Sequence, residues 1–170
     1  MSAPELSRPV AADRLRAEGE TVVVEATAAE RDAVRARLGL AGLDALSASV
    51  ALRPDGRGVV SAEGVLRARV TQVCVVSLEP FATVVETPFR LVFRPAGPGE
   101  GAADQTLDPE AEDEVTYEGT AFDLGEAMVE TLALALDPWP RRPGAVLEIP
   151  ASAAAAGPSP FAALARRRPG

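Results

Sequence analysis

Two long runs of alternating apolar and polar residues occupy the middle of the chain. Even-numbered positions of residues 66–78 are mostly apolar, with arginine and threonine between them, and odd-numbered positions of residues 81–93 are mostly apolar. A period of two is typical of a strand with one buried face. We therefore predict an antiparallel hairpin, around which the rest of the chain packs.

The turn of this hairpin sets its register. We place the loop at Glu79-Pro80, which pairs Leu66 with Phe93. The same register sets Arg69 opposite Arg90 on the outer face. Opposed like charges destabilise a sheet by about 0.2–1 kcal/mol unless an anion offsets them. That anion is either an acidic segment or helix of this chain or a phosphate of RNA, and the sequence leaves both open.

Two segments carry helix start signals. The Thr-Ala-Ala-Glu sequence at 27–30 is a capping box and predicts a helix from Ala28 to Leu38. The Asp-Leu-Gly-Glu sequence at 123–126 repeats the pattern, and Pro138 must end the helix that it opens.

Further strands are expected at residues 20–26, 43–53 and 115–122. Together the elements predict an α+β fold: a mostly antiparallel, strongly curved sheet, forming a partial barrel, of about five to seven strands with two covering helices. We expect one domain over residues 1–150, with a flexible acidic linker at about 95–114. A disordered tail rich in alanine, proline and arginine follows at 151–170.

Composition excludes several kinds of chemistry. The chain has no histidine, which removes Ser-His and Cys-His nucleophile pairs and every histidine-ligated metal site. No catalytic residue, metal or cofactor is expected. Cys74 is the one cysteine, and its position on the apolar strand face predicts a buried structural thiol whose pKa burial raises.

The sequence also bears on location. The first residues lack the apolar core of a signal peptide, and no run reaches the roughly 18 apolar residues that cross a membrane. We expect a cytoplasmic protein that does not bind a membrane.

Two carboxylates stand four residues apart in the second predicted helix. Glu126 and Glu130 form either an acid–base pair of an enzyme or, as we prefer, a solvated acidic face. The enzyme hypothesis requires further polar groups that converge on them in a cleft.

The one tryptophan lies between two prolines and is followed by arginines. Trp139 could stack on a base or anchor a protein partner, together with Arg141 and Arg142. The preferred alternative is that Trp139 folds back as a lid over the core.

The sequences QVCVVSLEPF and TAFDLGEAMVETLALALDPWPRRPGA, with the acidic linker between them, resemble the YceD family, also called DUF177, of large ribosomal RNA subunit accumulation proteins. The similarity covers about Leu43 to Ala145. Its most specific positions are Gln72, Cys74, Leu78, Glu79, Pro80, Asp123, Leu124, Gly125, Glu126, Glu130, Asp137 and Pro138. The variant with Pro140-Arg141 and Pro143-Gly144 is most similar to alphaproteobacterial members. Many relatives have a second cysteine where this chain has Ser77, and a later cysteine pair that it lacks, so a zinc role does not carry over.

The resemblance implies a non-enzymatic bacterial ribosome-biogenesis factor that supports 23S ribosomal RNA accumulation and large-subunit assembly. Direct RNA contact would use Arg67, Arg69, Arg90, Trp139, Arg141 and Arg142. A protein adaptor would instead hold a basic ribosomal protein or assembly factor with the acidic linker and Glu126 and Glu130. The net charge of -8 favours the adaptor.

Overall fold

The computed structural model describes residues 4–97 and 113–147. Its strands are β1 (Pro9–Ala11), β2 (Glu20–Glu25), β3 (Gly42–Pro54), β4 (Val60–Val73), β5 (Pro80–Pro95), β6 (Asp113–Tyr117) and β7 (Ala121–Asp123). Its helices are α1 (Ala28–Arg37), α2 (Leu124–Ala135) and a short 3-10 helix, Ala12–Arg14.

The predicted linker and tail fall largely outside this part of the chain. The linker ends on strands, since Pro95 closes β5 and Asp113 opens β6, and its centre lies outside the described residues. So does the whole tail at 151–170. The single domain over 1–150 stays a prediction.

The larger sheet has the order β2-β3-β4-β5-β6, and β1 pairs with β7 in a separate ribbon. All neighbours are antiparallel except β5 and β6, which run parallel. The predicted combination of sheet and two helices is confirmed, and the sheet is mixed. Within the described ranges β2 and β6 are its outermost strands and do not pair with each other, so it is not a closed barrel. The strong curvature stays a prediction.

The core lies between the inner sheet face and the two helices. Each helix begins as predicted: Thr27 and Glu30 form the reciprocal capping box of α1, and Asp123 accepts hydrogen bonds from the first backbone N–H groups of α2. Such caps satisfy donors that a helix leaves without partners. The apolar face of α2 contributes the buried side chains of Leu124, Ala127, Met128, Val129 and Leu132.

The hairpin register differs from the prediction. Leu66 pairs with Thr87, six residues before the predicted Phe93, because the turn spans all of Cys74–Glu79. In this turn the Cys74 N–H donates to the Glu79 carbonyl and the Leu78 N–H to the Cys74 carbonyl. Leu78 has a left-handed φ of 60°. An even shift keeps every side chain on its predicted face.

The new register removes the predicted clash between arginines. Arg69 lies opposite Val84, and Arg90 lies opposite Glu63. Arg90 Nη2 is 2.9 Å from a Glu63 carboxylate oxygen, and Arg67 Nη2 is 3.0 Å from Glu86. The predicted opposition of Arg69 and Arg90 is therefore wrong, and strand neighbours offset the charge of Arg67 and Arg90.

The start of α2 packs tightly on the N-terminal segment. A Cβ atom at Gly125 would lie 2.6 Å from the Leu6 carbonyl oxygen and 2.9 Å from the Arg8 nitrogen. The adjacent Asp123 carboxylate accepts the Arg8 N–H at 2.8 Å, and the Leu124 N–H donates to the Arg8 carbonyl. The absence of a side chain at Gly125 allows this approach.

A Gly125→Ala variant tests this packing by the sign of its effect. In an exposed helix, replacing glycine by alanine raises the free energy of unfolding by roughly 0.5–1 kcal/mol. Here the methyl group meets backbone atoms, so we expect the free energy of unfolding to fall by about 1–3 kcal/mol, as in other overpacked sites. Urea unfolding measures it. A stabilised variant would show that the segment is not packed on Gly125.

Candidate functional site

The turn between β4 and β5 folds around a buried sulfur. Cys74 is fully buried, and its Sγ atom accepts hydrogen bonds from the N–H groups of Val76 and Ser77, each at 3.4 Å. A third N–H, that of Arg142, also donates to it at 3.4 Å. Because Arg142 is distant in sequence, the sulfur joins the turn to the segment after α2.

Three more contacts attach residues 137–142 to the hairpin. The Gln72 side-chain amide donates to the Asp137 carbonyl at 3.1 Å, and the Val75 N–H donates to the Pro140 carbonyl at 2.9 Å. On the surface, Arg142 Nη2 is 3.0 Å from a Glu79 carboxylate oxygen. Two of the sequence stretches that resemble the YceD family are thus in direct contact.

Hydrogen bonding changes the acidity of the sulfur. It lowers the pKa of Cys74 to about 6 from its ordinary 9.0, through the Ser77 hydroxyl first and then the N–H groups of Ser77, Arg142 and Val76. The Ser77 hydroxyl has no partner of ordinary hydrogen-bond geometry in the described ranges, so we assign the structural role to the N–H groups. The thiol is buried as predicted, but its predicted raised pKa is wrong, because N–H donors stabilise the thiolate.

Large side chains on the two joined segments remain exposed. Trp139 is 72% exposed and Leu78 is 76% exposed. We give the name junction surface to five of the exposed side chains on these segments: Val73, Val75, Leu78, Trp139 and Arg141. The predicted lid is wrong, because the backbone bonds of Pro140 and Arg142 hold this segment against the turn instead of across the core.

The local structure at Trp139 is ordered by its neighbours. The backbone N–H of Trp139 donates to the Asp137 carboxylate at 2.8 Å, and the Asp137 carbonyl accepts a hydrogen bond from the Gln72 side chain. Pro138 and Pro140 fix the backbone on either side. The indole is therefore presented to solvent from a constrained segment.

The Asp123–Glu126 motif has a structural role. Asp123 caps α2, Leu124 is fully buried, and Gly125 allows the close approach described above. Glu126 Oε1 is 2.7 Å from Arg37 Nη1, and this Arg37 nitrogen is also 2.9 Å from a Glu5 oxygen.

The predicted acidic face of α2 is only partly correct. Glu130 is exposed, whereas Glu126 is half-buried and bound to Arg37. Pairing with α1 draws Glu126 away from solvent, so a solvated Glu126 is wrong. Among the described residues no three Asp, Glu, Cys or His side chains are placed to hold a metal ion.

The candidate arginines fall into two groups. Arg67, Arg90 and Arg142 each bind a carboxylate. Within the described ranges, Arg69 and Arg141 are exposed and have no ion-pair partner. By position, the five arginines and Trp139 form two different sets: Arg141, Arg142 and Trp139 lie at the junction, and Arg67, Arg69 and Arg90 lie on the outer sheet face.

Sequence reasoning missed part of this site. Val73 and Val75 are 47% and 41% exposed, and the Val75 backbone binds the second segment. Alternation predicted only that they share a face opposite Cys74, and no sequence signal identifies a main-chain bond to a distant proline.

A pH titration tests the sulfur contacts. An acid whose pKa is lowered by folding stabilises the folded state above its unfolded pKa, and this stabilisation is lost as the pH falls through the folded pKa. We expect thiolate absorbance of the folded protein to titrate below the ordinary 9.0, toward 6, with Cys74→Ser as the blank. The stability of the wild type relative to this variant should rise from about pH 6 to 9. A titration near the ordinary thiol value would contradict the three-donor site.

Comparison with known proteins adds a family. The family model described as large ribosomal RNA subunit accumulation protein YceD matches residues 62–165, more than half of the chain, and the match includes both joined segments. No curated protein and no solved structure matches. Neither helix in the described part is long and apolar enough to cross a membrane. With both contacting stretches inside the matched range, the chain belongs to the YceD family, whose name indicates a role in the accumulation of large ribosomal subunit RNA.

Proposed function

We propose that this protein supports accumulation of 23S ribosomal RNA in the cytoplasm as a binding factor, without catalysing a reaction. Its partner is a basic protein of the large subunit or of its assembly, bound at the junction surface. The observation that carries the proposal is Trp139, an exposed indole on a segment held by the Cys74 turn.

Exposed tryptophan on a constrained backbone suits protein recognition. Tryptophan is enriched among the residues that dominate binding energy at interfaces. Ordering a flexible segment opposes association, and a segment that is already ordered avoids that loss. The contacts of Asp137, Pro140 and Arg142 supply this order before the partner arrives.

The distribution of charge favours a protein over RNA as the partner. Phosphate binding depends on cations that can replace counterions. On the outer face Arg67 and Arg90 are already paired with Glu86 and Glu63, and the whole chain carries a net charge of -8. A basic protein, in contrast, is attracted at a distance by the net negative charge of the chain.

The enzyme hypothesis gains no support from the described residues. An acid–base pair would need both carboxylates in one cleft. Glu126 instead forms an ion pair with Arg37 at 2.7 Å, and Glu130 lies exposed, one turn further along α2.

The proposal predicts the outcome of a pull-down with Trp139→Ala. Tagged protein should retain large-subunit proteins or assembly factors after ribonuclease treatment, and the variant should retain them with about thirtyfold lower affinity, since a dominant interface residue contributes about 2 kcal/mol or more. Val23→Ala is the matched control, because Val23 is also 72% exposed but lies on β2. It should behave as wild type.

Two results would contradict this function. Recovery of ribosomal RNA with loss of every protein on digestion would assign the site to RNA. Equal retention by Trp139→Ala and wild type would remove Trp139 from the interface.

A further inference from the structure

Strand β5 has a long edge that no described strand covers. It runs from Pro80 to Pro95, and β6 pairs only with its last part, from Leu91 to Pro95. On the side away from β4, the backbone from Pro80 to Arg90 has no strand partner among the described residues. An uncovered edge is a template for another strand.

The direction of the backbone groups follows from two hydrogen bonds. The Ala96 N–H donates to Tyr117, on the β6 side, and the Glu79 carbonyl accepts from Cys74, on the β4 side. Backbone groups alternate along a strand, and the β4–β5 register has no shift. The N–H and C=O groups of Ala82, Val84 and Glu86 therefore point to the open edge.

Two prolines limit this edge. By the same alternation Pro88 would direct its N–H to the open side, and as a proline it has none; Pro80 likewise lacks one. Proline in a sheet is confined largely to edges and protects them against unrestricted pairing. The available stretch is thus short and bounded, at residues 81–87.

Apolar side chains line the same stretch on the inner face. Phe81, Val85 and Phe89 are only half-buried, in contrast to the buried Phe93. Beside them lie two hollows of about 430 and 490 Å³, which share Thr87 and Ala135. Both hollows are open to solvent; Pro140 and Arg141 of the junction segment line one, and α2 and β6 line the other. A strand added here would place alternate side chains into these hollows.

The charges around the hollows are mainly acidic. Three of the carboxylates that line them form no ion pair within the described ranges: Asp113, Glu130 and Asp137. Among the arginines that line them, only Arg141 has no ion pair within these ranges. A segment that carries several basic residues complements this balance. A second copy of this chain would bring the same carboxylates against them.

We propose that residues 81–87 of β5 bind an extended basic peptide segment of the protein partner by strand addition. Backbone bonds to Ala82, Val84 and Glu86 supply affinity, and the hollows beside Phe81, Val85 and Phe89 select alternate side chains. This inference rests on the proposed function, because it adds to the junction surface a second contact for the same partner.

Amide hydrogen exchange of the full chain tests the edge directly. The N–H groups of Ala82, Val84 and Glu86 should exchange fast, while those of Thr83, Val85 and Thr87 are protected by β4. A synthetic peptide of about nine residues, one strand in length, that alternates valine or threonine with lysine should protect the first set. A matched peptide with glutamate in place of lysine should bind about tenfold more weakly or less.

A pair of variants separates backbone from side chain. Val84→Pro removes the central edge N–H and should weaken binding of the lysine peptide by about tenfold, the net effect of roughly one hydrogen bond. Val84→Thr keeps the N–H and should bind within about twofold of wild type, a difference well below that of one hydrogen bond. If the proline variant does not fold, the exchange pattern of the wild type still decides.

Several outcomes would overturn the inference. Slow exchange of Ala82, Val84 and Glu86 in the free protein would show that the edge is already covered. Slow exchange that persists on dilution would indicate a cover from the same chain, and slow exchange that is lost on dilution would indicate a second copy. Protection by an RNA oligonucleotide but not by the lysine peptide, or equal binding by the two Val84 variants, would also contradict it. If the pull-down proteins bind Val84→Pro as well as wild type, strand addition fails while the proposed function stands; if no such protein is recovered, the function fails whatever the peptide does.

Discussion

The structure of the candidate site depends on one sulfur atom, which accepts hydrogen bonds from three backbone N–H groups in two distant segments. Cys74 closes the turn between β4 and β5 through Val76 and Ser77 and fixes the following segment through Arg142. Each such bond is weak alone, but buried N–H groups must find partners, so loss of the sulfur would leave several unsatisfied at once. The sulfur contacts thus order the turn and attach it to the segment after α2.

The remaining features of the junction follow from this attachment. Once residues 137–142 lie against the turn, they cannot fold over the core, and Trp139 is left in solvent. The same placement makes Pro140 and Arg141 one wall of the hollow beside β5. The Asp123–Glu126 motif acts at the other end of α2, where it fixes the helix to the N-terminal segment and to Arg37. The Asp123–Glu126 motif thus maintains the fold at one end of α2, while Gln72 and Cys74 hold the junction segment in place at the other.

Periodicity and capping signals predicted most elements of the fold. The capping box at Thr27, the cap at Asp123 and the alternation along β3 and β4 depend on local physics, and each was found in the structure. The hairpin register was not predictable from alternation, because a shift of six residues leaves every face unchanged. Only the sulfur-centred turn excludes the tighter loop.

The surface was predicted less well, for a similar reason. Whether Trp139 is buried depends on a bond between Val75 and Pro140, which joins residues far apart in sequence. The ion pairs of Arg67 and Arg90 depend on the register. Because the turn was predicted too short, the residues opposite these arginines were predicted wrongly. The family resemblance, in contrast, rests on short ordered motifs and was confirmed by the family match.

The most direct test of the account is a photo-crosslink formed in cells from a photoreactive residue in place of Arg141, next to an intact Trp139. We predict ribonuclease-resistant crosslinks to a basic protein of the large subunit or its assembly. Crosslinks to ribosomal RNA alone would contradict it, because the junction surface would then contact nucleic acid.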